Sequence, residues 1–223
     1  TRADLERVIH EVAIDAAEDG ATWMELAFDA ERYCEYRSDS PHRLFETQRE
    51  GWGFAFDAAS RAEDATGVGV AFISALDRAA PVENAMRRAN VTRDLLRANE
   101  ATIRSRLGSH RGIVGVGLHG NEEGNPPERF KAAFDAARQG TDLLSLPHAG
   151  EIAPVPGRGA HSVETAIDAL GADRIAHGVL AVESLSLLRR IREEGICLDV
   201  CPSSNVLLSC LLYTSDAADD RLS

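Results

Sequence analysis

DLLSLPHAGEIAPVPGRGAHSVETAIDALGADRIAHG (residues 142–178) is the stretch whose pattern decides the fold. DLLSLPH (142–148) is a short apolar run of the kind a buried strand needs. Ser162 stands where it can cap a helix whose inward stripe is Val163, Ile167 and Leu170, and Gly171 stops that helix. RIAHG (174–178) is then a second short strand. A strand, a crossover helix and another strand form a unit in which the two strands run parallel.

The same alternation continues on both sides. Downstream, the spacing predicts a helix over 181–194 with Val182, Leu185, Leu188 and Ile191 inward and Gly195 as its stop, then the strand ICLDVCP (196–202). Upstream, RGIVGVGLHG (111–120) reads as a strand. The next helix has Asn125 as cap, Pro126 at its first position, Glu128 at capping-box spacing and a stripe of Phe130, Ala133, Phe134 and Ala137, stopped by Gly140. Nearer the start, residues 2–18 form a helix with Leu5, Val8, Ile9, Val12 and Ala16 on one stripe and Gly20 as C-cap. A strand over 21–28, a helix over roughly 44–65, a strand over 67–76 and a helical stretch from Pro81 to about Arg106, interrupted near Asn90, complete the order. Six strands separated by helices specify an α/β protein with a parallel sheet and right-handed crossovers. Six repeats fall two short of a (β/α)8 barrel, so the count alone leaves a doubly wound sheet open as well.

Composition narrows the function. The 223 residues carry 24 Lys and Arg against 36 Asp and Glu, a net charge of −12, and 44% are hydrophobic. That is ordinary globular usage and excludes a disordered chain. The acidic balance argues against nucleic acid and against an anionic membrane surface. No run reaches the roughly 18 apolar residues of a membrane span, and the charged, amphipathic start is unlike a signal peptide. Cys34, Cys197, Cys201 and Cys210 contain no C-x-x-C pair and are too sparse for a disulfide scaffold, so a reducing cytoplasm is expected. The start at Thr1, directly in a helix pattern, suggests a fragment or a processed start.

In parallel α/β folds the chemistry gathers at the C-terminal ends of strands. Here those ends read His119-Gly120-Asn121-Glu122, His148-Ala149-Gly150-Glu151, His177-Gly178 and Cys201-Pro202-Ser203-Ser204-Asn205. A single histidine near a strand end is more often a hydrogen-bonded structural residue. Imidazoles at two successive strand ends, one followed by Gly-Glu, point instead to a site, because neutral imidazole is a good ligand for Zn²⁺ and a carboxylate three residues on can exchange protons with a bound water. His10, His42, His110 and His161 read as solvated, and Cys201 as packed, with Cys197 alternating with it. Gly115–Gly120 matches G-x-G-x-x-G, but Glu122 and Glu123 follow where a pyrophosphate would lie, and the helix begins only near Pro126; a dinucleotide site is excluded on that ground.

PHAGE (147–151), DRIAHGV (173–179), LDVCPSSN (198–205) and the GLHGNEEGNPPERF turn (117–130) together resemble the metal-dependent adenosine deaminase family, over about residues 2–209. The resemblance implies an incomplete (β/α)8 TIM barrel with its strands 2 to 7 present and the first and last missing. It implies one Zn²⁺ per complete protein and hydrolytic removal of the 6-amino group of a purine, adenosine to inosine and ammonia, with a small purine nucleoside as partner. By the same resemblance, His148 is a zinc ligand and Glu151 protonates the purine N1, which requires Glu151 to be protonated in the bound state. His177 orients the zinc-bound hydroxide and stabilises the developing oxyanion, and Gly120 presents its backbone N–H to the purine edge.

The family also contains adenine and aminodeoxyfutalosine deaminases with the same motifs, and a catalytically dead homologue that binds a partner is the alternative of another class. Two family motifs are missing: an H-x-H pair on the first strand and an Asp-Asp pair on the last. Residues 210–223 break the pattern and read as a tail foreign to the 1–209 domain; Asp219-Asp220 lacks the intervening helix that would make it the missing pair. The chain alone is therefore expected to be inactive, with the strands 21–28 and 196–202 at bare sheet edges.

Overall fold

The computed structural model describes residues 1–34, 43–98, 102–104, 110–153 and 155–207. They form two compact units, Thr1–Gly117 with Ala132–Leu144, and Leu118–Lys131 with Ser145 onward.

In the first unit α1 (Arg2–Glu18) begins in a capping box: Asp4 N–H donates to the Thr1 hydroxyl, and the Asp4 carboxylate accepts from the Thr1 ammonium at 2.8 Å. β1 (Trp23–Phe28) follows, with a 3₁₀ turn at Glu31–Tyr33. α2 (Gln48–Thr66) is capped by Thr47 and ends at Gly67, whose φ of +78° is the left-handed turn glycine supplies at little cost. β2 (Gly69–Asp77) and α3 (Val82–Arg97) follow, then β3 (Thr102–Arg104), β4 (His110–His119) and α4 (Lys131–Arg138). β1 and β2 pair in parallel from Trp23 opposite Gly69 to Phe28 opposite Ser74. The sheet order is β1-β2-β4-β3, with β5 (Leu144–Ser145) on β4 and β1 at an edge. Phe28, Trp52, Phe56 and Phe72 form an aromatic core with ring centroids 5.0–6.0 Å apart.

The second unit holds β6 (His148–Ala149), α5 (Arg158–Leu170), β7 (Arg174–His177), α6 (Leu185–Glu194), β8 (Cys197–Asp199) and α7 (Pro202–Leu207), with 3₁₀ turns at Pro127–Phe130 and Val179–Glu183. β6, β7 and β8 make a parallel three-stranded sheet with β8 at an edge. Ala149, Val163, Ala166, Ile175 and Ala181 are fully buried between this sheet and its helices. Among the described residues no helix is long and apolar enough to cross a membrane.

The α/β class with parallel pairing holds, and all six predicted strand regions contain strand. Several local expectations are corrected. The run 142–148 splits into β5 and β6, which lie in different sheets. The helix from Pro81 passes through Asn90 unbroken and ends at Arg97; Thr102–Arg104 instead pairs antiparallel with β4, an element the helical reading of that stretch had absorbed. Ser162 does not start α5. The helix begins at Arg158, because Glu183 accepts from the Gly157 N–H at 3.1 Å and the Ala160 N–H at 3.5 Å, a cap supplied from more than 20 residues away. Asn125 caps nothing: its amide is spent on the carbonyls of Asn121 and Glu123, and the turn that follows is 3₁₀. The α1 stripe is Leu5, Ile9 and Ala13, with Val8 half exposed, and in the 181–194 segment Val182 and Leu185 face out while Leu187 and Ile191 are buried. The C-terminal strand stops at Asp199, and Pro202 opens α7.

Candidate active site

The second unit gathers the strand-end residues. β6 and β7 are in register with His148 opposite Ala176 and Ala149 opposite His177. The two strand ends are stitched further by Gly178 N–H to the Ala149 carbonyl at 3.0 Å and Leu180 N–H to the Gly150 carbonyl at 3.1 Å. The turn after β7 is tight. His177 has φ +67°, alone among the described non-glycine residues in the left-handed region, and Gly178 follows at +66°. A non-glycine residue held there stores strain of about 1–3 kcal/mol, tolerated where the surroundings over-determine it. A Cβ on Gly178 would lie 2.7 Å from Leu198 Cδ2, whose side chain would have to shift, and the positive φ favours glycine there.

The result is a row of imidazoles. The His119 and His148 rings are 4.4 Å apart between centroids, and those of His148 and His177 are 5.3 Å apart. His177 is buried; its Nε2 lies 3.3 Å from Glu151 Oε1, and its Nδ1 donates to the Asn205 amide oxygen at 3.1 Å. Glu122, 8% exposed, sends its carboxylate under the HAGE loop and accepts from Gly150 N–H (2.8 Å), Glu151 N–H (3.0 Å) and Ile152 N–H (3.3 Å).

The sequence-predicted residues His148, Glu151 and His177 thus come together at the ends of adjacent strands. Gly120 follows His119 at the end of β4 with φ +99° and is exposed. Three contributors were missed as site members: His119, Glu122 and Asn205. Each stood in a strand-end motif already quoted, and the signal was their shared position. Of the other predicted residues, His161 is exposed and His10 half-buried, while Cys201 is half-buried just past the end of β8, its thiol on the Asp199 carbonyl, and Cys197 is exposed. His42, Cys210 and Asp219-Asp220 lie outside the described residues, as does the His110 side chain. Cys34 donates its thiol to the Ala30 carbonyl, and burial pushes its pKa up to about 11, so it is no thiolate nucleophile at neutral pH. A cavity of about 400 Å³ adjoins the Glu122 carboxylate and Ile152, with Arg158, His161, Ser162 and Thr165 of α5 on its wall.

A catalytic zinc takes three protein ligands and a water. Among the described residues no group of three or more His, Cys, Asp or Glu is arranged to hold a metal ion. His148 offers one imidazole nitrogen; by themselves the residues described do not fit a zinc ion.

The adenosine deaminase family model matches residues 1–218. The chain belongs to the adenosine deaminase family. A Streptomyces coelicolor relative that carries the provisional name adenosine/adenine deaminase is 32% identical over 222 residues, all of this chain and 57% of its own length. An adenine deaminase from Chelativorans sp. is 46% identical over 99 residues, 44% of this chain and 29% of its own. Among solved structures, adenine deaminase from Arthrobacter aurescens superposes with a TM-score of 0.75 at 26% identity, covering 95% of this chain and 56% of that one. An amidohydrolase from Burkholderia ambifaria, solved with bound Zn, gives 0.68 at 26% identity, covering 92% and 50%. The chain therefore spans about half the length of the relatives it matches, and its fold is of the amidohydrolase deaminase type.

Proposed function

We propose that the full-length protein carrying this chain hydrolytically deaminates a 6-aminopurine, adenosine giving inosine and ammonia. The observation that carries the reading is the facing pair at two adjacent strand ends, Glu151 Oε1 and His177 Nε2 at 3.3 Å. A carboxylic acid and an imidazole in that relation can move protons on both sides of an amidine carbon. Glu151 in its protonated form donates to the ring nitrogen beside the C–NH₂ bond, which makes that carbon electrophilic. His177 orients the attacking oxygen and stabilises the charge that develops on it. Gly120 offers its backbone N–H to the purine edge. His148 would be one ligand of a single Zn²⁺, which when bound would supply an activated water. In this reading residues 1–209 hold strands 2 to 7 of a (β/α)8 barrel, and the chain alone does not turn over.

The experiment is ammonia release by the full-length protein over adenosine, deoxyadenosine and adenine. Glu151→Gln removes the proton donor at constant shape and is expected to lower kcat by about 10²–10⁴-fold. A variant rate near that of the wild type would take Glu151 out of the mechanism. Adenine in place of adenosine is the second reading; the Chelativorans and Arthrobacter proteins, both adenine deaminases by name, favour it, and the same assay separates the two.

A further inference from the structure

Glu151 must hold its carboxyl within a fraction of an ångström of the substrate nitrogen, yet it sits in a loop. Two buried side chains fix its main chain from opposite ends. Glu122 Oε2 accepts the Glu151 N–H at 3.0 Å, while the other contacts of the same carboxylate hold Gly150 and Ile152 on either side. Asn205, with no exposed surface, donates its Nδ2 to the Glu151 carbonyl at 3.4 Å. The three N–H groups converge on one anion because Gly150 takes φ +63°. Glu122 comes from 29 residues upstream and Asn205 from 54 downstream, so the loop is held between two elements far from it in the chain.

We propose that Glu122 and Asn205 are positioning residues that clamp the peptide of Glu151 at its N–H and its C=O; the inference rests on the deaminase reading for its catalytic consequence. The second contact of Asn205 extends the clamp to His177. Because the amide nitrogen is committed to the Glu151 carbonyl, the amide oxygen must be the atom that meets His177 Nδ1. That nitrogen carries a hydrogen, and Nε2 is the atom that faces Glu151. One asparagine therefore places the acid and sets the tautomer of the imidazole beside it. A displacement of about 1 Å at a reacting group costs on the order of 10²-fold in rate, which is the scale on which such a clamp acts.

The test has two parts. In this chain, amide hydrogen exchange at Gly150, Glu151 and Ile152 is slow, and Glu122→Gln speeds it at least tenfold, because the substituted amide offers one acceptor oxygen and turns donor hydrogens towards donor N–H groups. Unchanged exchange overturns the clamp. Nitrogen-15 NMR of His177 shows the Nδ1–H tautomer in the wild type and in Asn205→Asp, which keeps the acceptor, and a mixture in Asn205→Leu; an Nε2–H wild type overturns the role of Asn205.

In the full-length protein, Glu122→Gln lowers kcat at least tenfold with KM changed less than threefold, and Glu122→Asp recovers part of the loss. Equal kcat per folded molecule would make Glu122 a stability residue only. Should Glu122→Gln fail to fold, Asn205→Asp carries the same comparison, with a several-fold loss in kcat expected and an unchanged kcat overturning it. If the wild type releases no ammonia from any purine, the deaminase reading fails, and the exchange and NMR measurements still decide the clamp.

Discussion

Glu31 in the first unit and Glu122 in the second are both buried, and the two are held in different ways. In the first, Glu31 lies in the turn after β1 and meets guanidinium: Arg88 Nε at 2.6 Å and Arg87 Nε at 3.1 Å, with Arg88 also on Asp29 at 3.0 Å. In the second, Glu122 meets three main-chain N–H groups of the HAGE loop. A guanidinium fixes a charge to a helix. Main-chain N–H groups let a charge fix a loop, here the one that carries Glu151, the proton donor of the proposed function. The comparison separates a carboxylate paired with guanidinium from one that organises a loop.

The largest effect that would break this comparison is expected in the first unit. Arg88→Met leaves the buried Glu31 and the half-buried Asp29 without their main cation, and breaking a buried pair from one side costs about 3–5 kcal/mol. Arg87 still reaches Glu31, so the lower half of that range is expected, measured as the loss of unfolding free energy in urea. A loss below 1 kcal/mol would mean that water reaches the cluster and that the two glutamates are not comparable.

A smaller effect sharpens the other side. In Gly150→Ala the new Cβ lies 2.5 Å from Val163 Cγ2 and the residue must keep φ +63°, so a loss of about 1–3 kcal/mol is expected together with faster amide exchange at 150–152. Adding Val163→Ala relieves the clash and leaves the backbone cost. If the double variant regains full protection at those amides, close packing and not the left-handed turn is what presents the N–H groups to Glu122.

These features mark where the sequence was legible. The strand regions, the buried stripe of Phe130 in the 3₁₀ turn and Ala133, Phe134 and Ala137 in α4, and the convergence of His148, Glu151 and His177 follow from period, glycine stops and the rule that chemistry sits at strand ends. What was not legible depends on partners distant in the chain. Glu183 capping α5 from across its unit made Ser162 look like a helix start; Asn125 matched a cap by type but was drawn into its own turn. The Glu122 and Asn205 clamp spans 29 and 54 residues, a separation no local pattern contains. The buried Arg88–Glu31–Asp29 group was invisible for the same reason, since charged residues on a helix read as solvated until their neighbours are known.

The smallest predicted effect is a slope. Burial raises the pKa of Asp29 above its ordinary value of 3.8, outweighing the pull of Arg88 in the other direction. The folded chain then holds that proton more tightly than the unfolded chain. The contribution of Asp29 to stability is fully present below its unfolded pKa and is lost as pH rises through the raised, folded value. Asp29→Asn is neutral throughout, so wild-type stability should fall relative to the variant as pH climbs from about 3.8 through that window, and the difference should level off above it. Arg88 keeps its 2.6 Å contact with Glu31 in both proteins, which confines the comparison to one carboxyl. The opposite slope, with the wild type gaining on the variant as pH rises, would show that the guanidinium dominates at Asp29 as well. The first unit would then hold a fully paired charge cluster, and the contrast with Glu122, held by main-chain N–H groups, would be wider than the distances alone indicate.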